Sequence, residues 1–264
     1  MTCAWPIARV TRYGSAMPDL PPAIPAATLI ILRDRDSGPP ELLMVERARA
    51  MAFAGGALVF PGGRVDPGDH ALAALHSRDD DEGAARIAAI RETIEEVGLG
   101  IALDPPPAGI APIREALHAG APFAAALGRT RLLLDALEPF ARWRPAHAHA
   151  RIFDTRFYLA RMPDGMPDAT VDATENVRLL WTTAAAILAE ADAGRATLIF
   201  PTRRTLERLA RFAIFNAAVA DARAHQVRTI TPWIERRGGA DHLCIPDDLG
   251  YPVTAEPLSA AVRG

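Results

Sequence analysis

Short apolar runs closed by proline, glycine and acidic turns alternate along this chain with longer stretches of helical period. Ala27 to Leu32 is apolar with β-branched members and is stopped by Arg33-Asp34-Arg35-Asp36-Ser37-Gly38-Pro39-Pro40, which predicts a strand and a turn. Glu41 to Arg47 predicts a second strand, paired with the first as a hairpin because the connection is short and polar. The glycine-rich stretch Ala54 to Ala57 leads into Leu58-Val59-Phe60, a strand running into a tight Pro61-Gly62-Gly63 loop. A helix is predicted from about Glu82 to Val97, where Ala85, Ala88, Ala89, Ile90, Thr93, Ile94 and Val97 supply one packing surface. The acidic run Arg78-Asp79-Asp80-Asp81-Glu82 suits the start of that helix, because the macrodipole favours negative charge there. Asp69 marks a loop or a short helix start.

Beyond Pro105-Pro106-Pro107 the spacing predicts helices over Ile113–Gly120 and Ala125–Phe140, the latter through Leu127, Leu132, Leu133, Leu134 and Leu137. Together they make a helical insert around residues 105–150. Arg151 to Ala160 predicts a strand dense in aromatic and β-branched residues, and Val171 to Thr182 a loop with Glu175 followed by another strand. A helix over Ala184–Ala193 follows, then one from Pro201 to about Ala222 with Leu206, Leu209, Phe212, Ala213 and Phe215 on its apolar face. Arg203, Arg204 and Arg208 on it form a solvated face or meet substrate phosphates. The tail from Thr231 to Gly264 reads as turns packed on the core. Met1 to Pro25 reads as a proline-rich lead-in, and residues 26–264 as a single domain.

Composition narrows the classes. A chain of 264 residues, 50% hydrophobic, can bury one substantial core, and a formal charge of -3 gives no electrostatic case for nucleic acid or an anionic membrane. All 29 basic residues are arginine, so any cationic contact to a ligand must come from arginine. Cys3 and Cys244 suggest neither a disulfide framework nor a zinc site, which fits a reducing, cytoplasmic setting. No run approaches the ~18 apolar residues of a membrane span. His147 and His149 alternate, but without a third ligand nearby they favour a turn over a metal site.

The chemistry concentrates in Arg91-Glu92-Thr93-Ile94-Glu95-Glu96-Val97-Gly98-Leu99. On a helix Glu92, Glu95 and Glu96 share one face, and three like charges there call for a divalent cation. Oxygen-only donors suit Mg²⁺ or Mn²⁺ better than Zn²⁺. Gly98 can end the helix in a left-handed cap. The order of strand, Pro-Gly-Gly loop and acidic helix resembles the Nudix hydrolase family. Arg91 to Leu99 matches the second half of its box, with Thr93 at a usually aliphatic position. The first half departs twice, since Asp69 replaces a glutamate and roughly His70 to Gly83 is inserted.

The segment Leu42-Leu43, Arg47, Phe53, Gly55 and Phe60 to Gly63 is similar to the upstream motif of the coenzyme A diphosphatase branch, without its central histidine. Phe153 to Leu159, the spacing from Glu175 to Trp181, and Phe200 to Leu206 look like the Nudix subgroup named after human nudix hydrolase nineteen. The resemblance implies an α/β/α sandwich on a mixed sheet, with a helical insertion and a C-terminal helix. It implies a small-molecule nucleotide substrate and metal-dependent hydrolysis of a phosphoanhydride, with coenzyme A or acyl-coenzyme A giving 3′,5′-ADP and a phosphopantetheine. A homodimer is one option for its assembly. Glu92, Glu95 and Glu96 are the metal ligands it implies, with Arg91 holding a carboxylate, and the general base lies between a box glutamate and Glu175. Arg47, Gly62 and Gly63 face the substrate, Arg47 as a phosphate clamp. ADP-ribose or nucleotide-sugar cleavage is the alternative substrate class, and a non-catalytic nucleotide-binding protein the alternative to an enzyme.

Overall fold

The computed structural model describes residues 22–51, 54–76, 80–105, 109–145, 151–171 and 175–261. Most of the expected lead-in, together with Cys3, Phe53, Arg78, Asp79, His147 and His149, lies outside them. The first strand begins inside that lead-in, at Ile24.

The main sheet is built from β1 (Ile24–Arg33), β2 (Glu41–Arg47), β3 (Leu58–Val59), β4 (Gly62–Arg64), β7 (Glu138–Trp143), β8 (Phe153–Arg161), β9 (Asn176–Thr183) and β10 (Thr229–Ile230). Its order is β10-β7-β8-β1-β2-β3, with β4 added to β1 and β9 to β2. It is mixed: β1 runs parallel to β8 and β7 to β10, while the other pairs are antiparallel. The continuous apolar run of β1 explains why both faces are covered, since Ala27, Leu29 and Ile31 enter one core and Ile30 and Leu32 the other. On the first face lie α1 (Pro67–Ala73), α2 (Asp80–Val97), α3 (Ala111–His118) and α4 (Phe123–Leu127). On the second lie α5 (Ala184–Asp192), α6 (Phe200–Leu209) and α7 (Phe215–Ala224). This is the three-layer α/β/α arrangement on a mixed sheet.

Several elements differ from what the pattern predicts. The hairpin of β1 and β2 is paired only beside its turn, at Leu32–Leu42 and Arg33–Glu41; beyond that β1 follows β8 and β2 follows β9. The helix expected over Ala125–Phe140 stops at Leu127, before Gly128 at φ +57. Arg131–Leu132 then forms β6, paired with β5 (Leu103–Asp104), and residues 138–140 already belong to β7. Arg86 of α2 donates to the carbonyls of Leu134 and Leu137 at 2.6 and 2.8 Å, satisfying acceptors that a helix would have used internally.

The helix expected from Pro201 to Ala222 is two helices. Ile214 is extended, and the Phe215 N–H that opens α7 donates to Asp34 Oδ1 at 2.7 Å, a cap supplied from the far end of the chain. The tail is more regular than turns: β11 (Trp233–Arg237), β12 (Ala240–Cys244) and β13 (Ala255–Pro257) form a small antiparallel sheet, followed by α8 (Leu258–Ala261). Arg204 and Arg208 are buried rather than solvated, Arg204 paired with Glu207 and Glu256, and Arg208 with Asp221. Arg203 pairs with Asp192 and Glu207, so these arginines hold the C-terminal layer together and leave the substrate phosphates to others.

Candidate active site

The acidic helix closes on Gly63 and strand β1 on Gly62, so neither glycine has room for a side chain. A Cβ on Gly63 would lie 2.4 Å from the Glu92 carboxyl carbon, and one on Gly62 would lie 2.3 Å from the Ala27 carbonyl oxygen. The Gly62 N–H donates to Glu96 Oε2 at 2.9 Å. Thus β4 delivers backbone, not side chains, to the carboxylates of α2. The helix is oriented by its fully buried Ala85, Ala88, Ala89, Ile90, Ile94 and Val97. Thr93 is buried with them and satisfies its hydroxyl by donating to the Ala89 carbonyl at 2.7 Å. Gly98, at φ +66, closes the helix as expected.

Arg91 organises the carboxylates. Its Nε and Nη2 donate to the two oxygens of Asp69 at 3.0 and 2.8 Å, Nη2 also reaches the Arg64 carbonyl at 2.9 Å, and Nη1 donates to Glu92 at 2.8 Å and Glu95 at 3.2 Å. Asp69 sits buried in the first turn of α1, where it also accepts the Asp66 N–H at 2.8 Å in a capping box. The residues inserted after Asp69 therefore leave it able to grip Arg91 from a separate helix. Burial alone would weaken the Arg91 charge, but Asp69 and Glu92 outweigh it and push its pKa upward.

The carboxylates respond oppositely. Burial, with the Glu95 charge adding to it and Arg91 opposing it, pushes Glu92 up to about 7. Burial and then the Glu92 charge push Glu96 up to about 8, against the Gly62 N–H, the side-chain amide of Asn176 and the Arg47 charge. Asn176 is a residue the sequence reading passed over. It begins β9, fully buried, in register with Arg47 of β2, and only that pairing across strands could have pointed to it. Arg47 Nη2 lies 3.7 Å from Glu175 Oε2, and its buried Nε has no hydrogen-bond partner among the described residues.

Arg47, Gly62, Gly63, Arg64, Arg91, Glu92, Glu95 and Glu175 all line one cavity of about 550 Å³. Glu96 sits behind its wall, on Gly62. Apart from Glu96, the cavity thus gathers the site residues that the sequence suggested, from β2, β4, α2 and the residue before β9.

Residues 23–110 match the NUDIX domain family model. That segment of the chain is similar to a NUDIX domain. A solved structure of a NUDIX hydrolase from Alicyclobacillus acidocaldarius is 28% identical, with the match covering 75% of this chain and 96% of that one at a TM-score of 0.68. Two more remote likenesses choose no substrate. A C. elegans Ap4A hydrolase binary complex is 19% identical over 75% of this chain and 98% of that one, TM-score 0.42. The NUDIX domain of Shewanella oneidensis NrtR complexed with ADP ribose is 14% identical over 74% and 92%, TM-score 0.42. No curated protein matches the chain. The domain match and the Alicyclobacillus structure support a hydrolase.

Hydrolases with a NUDIX domain generally use divalent metals, and the donors here fit one. Glu92 and Glu96 are two desolvated, mutually repelling carboxylates whose ionised forms lack enough positive charge around them. Among the described residues no group of three or more His, Cys, Asp or Glu side chains converges on one point, because Arg91 draws Glu92 and Glu95 to itself. A pair of carboxylates still meets the needs of Mg²⁺, which is commonly held by one or two of them together with water and substrate phosphates.

Proposed function

We propose that this NUDIX domain hydrolyses the phosphoanhydride of a nucleoside diphosphate linked to a second group, and that the substrate is coenzyme A or acyl-coenzyme A. The observation that carries the reading is the cavity that Arg47, Glu92 and Glu95 line together, with Glu96 directly behind its wall on Gly62. In this reading Glu92 and Glu96 hold Mg²⁺ or Mn²⁺, with Glu95 as the third carboxylate. Bound there, the ion would neutralise diphosphate charge and polarise the P–O bond. Arg91 keeps the carboxylates in place through Asp69. Arg47, beside Glu175 and within electrostatic reach of Glu96, pairs with a diphosphate oxygen. Water adds to one phosphorus, the bridging P–O bond breaks with its electron pair going to the leaving phosphate, and the water proton passes to Glu175 or to a box glutamate.

Coenzyme A carries a 3′-phosphate beside its diphosphate. Arg64 and Arg151 line the cavity, are exposed, and have no ion pair with a described residue, so they are the cations open to that group. The test is a panel of coenzyme A, dephospho-coenzyme A and ADP-ribose at fixed Mg²⁺. Coenzyme A should be cleaved to 3′,5′-ADP with kcat/KM roughly ten- to a hundred-fold above dephospho-coenzyme A, the size of one charge-assisted contact. Equal efficiency removes the 3′-phosphate argument, a clear preference for ADP-ribose moves the assignment to that class, and no turnover of any diphosphate leaves a binding protein.

A further inference from the structure

Beside Arg47 and Glu175, both of which line the cavity, strands β2 and β9 leave their regular register. From Glu41–Thr183 to Glu46–Arg178 each residue of β2 faces the next one along β9, but Arg47 pairs with Asn176. Val177 is therefore an extra residue, a β-bulge, and it is exposed. The extra residue changes which side chain faces α2. Side chains alternate along a strand, and here Leu179 and Trp181 pack on the core shared with α2, while Leu180 packs on the other. Unbroken alternation would turn Val177 toward α2, opposite Arg47, and Asn176 away from it. The bulge puts Asn176 there instead, fully buried. Its side-chain amide then meets the Glu96 carboxyl from β9, as the Gly62 N–H, 2.9 Å from Oε2, meets it from β4.

Strand formation does not call for asparagine at this position. Asparagine is depleted from strands, and burying its amide costs free energy unless a polar group receives it. We propose that Asn176 is a positioning residue: the bulge at Val177 presents its amide to Glu96 and, together with the Gly62 N–H, holds that carboxylate in place for a divalent cation. This rests on the reading above that Glu96 holds the ion. Donors from two strands, β4 and β9, fix the carboxylate before the ion arrives, so less side-chain freedom is lost on binding than if Gly62 held it alone. Arg47, on the same face and opposite Asn176, stays available to the substrate.

Mn²⁺ alone, titrated calorimetrically into the full chain without substrate, tests this apart from turnover. Asn176→Leu keeps the volume and removes the amide, and should weaken Mn²⁺ binding about tenfold or more. Val177→Ala, at the exposed bulge, should leave the affinity native. In the Glu96→Gln background Asn176→Leu should take away nothing further, because the two act as one unit. Thermal melting confirms the fold, and Asn176→Ala serves in the same comparisons if the leucine variant fails to fold. Native affinity in the folded Asn176 variant, an equal loss in Val177→Ala, or a loss that persists at full size beside Glu96→Gln overturns the proposal. The two readings fail differently: loss of Mn²⁺ in Glu96→Gln with native binding in the Asn176 variant sinks Asn176 alone, whereas native binding in Glu96→Gln removes the ion from Glu96 and the role of Asn176 with it.

Discussion

At the scale of single residues, Glu96 and Asp69 are both buried acids within reach of the same helix, and the structure gives them opposite energetics. Glu96 is pushed up to about 8, so its ionised form opposes folding, whereas Asp69 is gripped by two nitrogens of Arg91. Glu96→Gln is therefore predicted to abolish nearly all metal-dependent hydrolysis while leaving the melting temperature in EDTA unchanged or higher, because it deletes a charge the fold does not favour. Asp69→Asn keeps one acceptor for Arg91 and should cost less turnover but more stability, about 1–3 kcal/mol. Turnover and circular dichroism melting of both variants decide this; equal losses of turnover would make Asp69 a direct participant. The sequence already exposed most of this site, because Glu92, Glu95 and Glu96 are related by helical spacing alone. Asn176 stayed hidden because its link to Glu96 depends on how β9 lies against β2, and no local pattern encodes that.

At the scale of elements, the same distinction separates what was readable from what was not. The box helix was legible because its apolar period, acidic start and Gly98 stop all lie within its own span. The break between α6 and α7 was not, because the cap on Phe215 comes from Asp34, 181 residues away. The β11–β12 hairpin had a local sign, Gly238-Gly239 between two runs, both with positive φ, which the reading of the tail as turns overlooked. Distance in sequence also conceals what secures the end of α2. Arg114 of α3 donates from Nε to the Glu95 carbonyl at 2.9 Å and from Nη2 to the Glu96 carbonyl at 3.1 Å, and it also holds Thr170 through Nη1 at 2.7 Å. A cation placed on the last free carbonyls of a helix is favoured by the helix dipole. Arg114→Ala should thus lower stability by about 2 kcal/mol in urea unfolding and raise the Mg²⁺ concentration needed for half-maximal turnover, since the freed turn carries two of the carboxylates. Unchanged values of both would mean that Val97 and Leu99, fully buried, hold the end of the helix without it.

At the scale of the whole molecule, the cavity joins walls from distant parts of the chain. The segment that matches the NUDIX domain contributes β1, β2, β4 and α2, while Trp143, Phe153, Phe200 and Leu243 arrive later in sequence. Burying Glu92 and Glu96 at that junction ties global stability to metal and pH. Both carboxyls hold their protons more tightly in the fold, at about 7 and about 8, than at the ordinary glutamate value of 4.5. Below 4.5 the two groups are protonated in the folded and unfolded chain alike, and their contribution to stability is full. Above it the unfolded chain releases these protons freely and the folded chain does not, so stability drains away until the pH passes the folded value of about 8. A divalent cation held by the ionised pair, as proposed, should reverse the loss by mass action. Melting in EDTA should show the temperature falling across this window, with Mg²⁺ flattening the fall at its alkaline end. The Glu92→Gln, Glu96→Gln double variant assigns the effect: its metal-free curve should lose the part of the slope due to the pair, and Mg²⁺ should no longer shift it. A native protein whose metal-free stability holds constant over the window, or a double variant that Mg²⁺ still stabilises, would place the ion away from these two carboxylates.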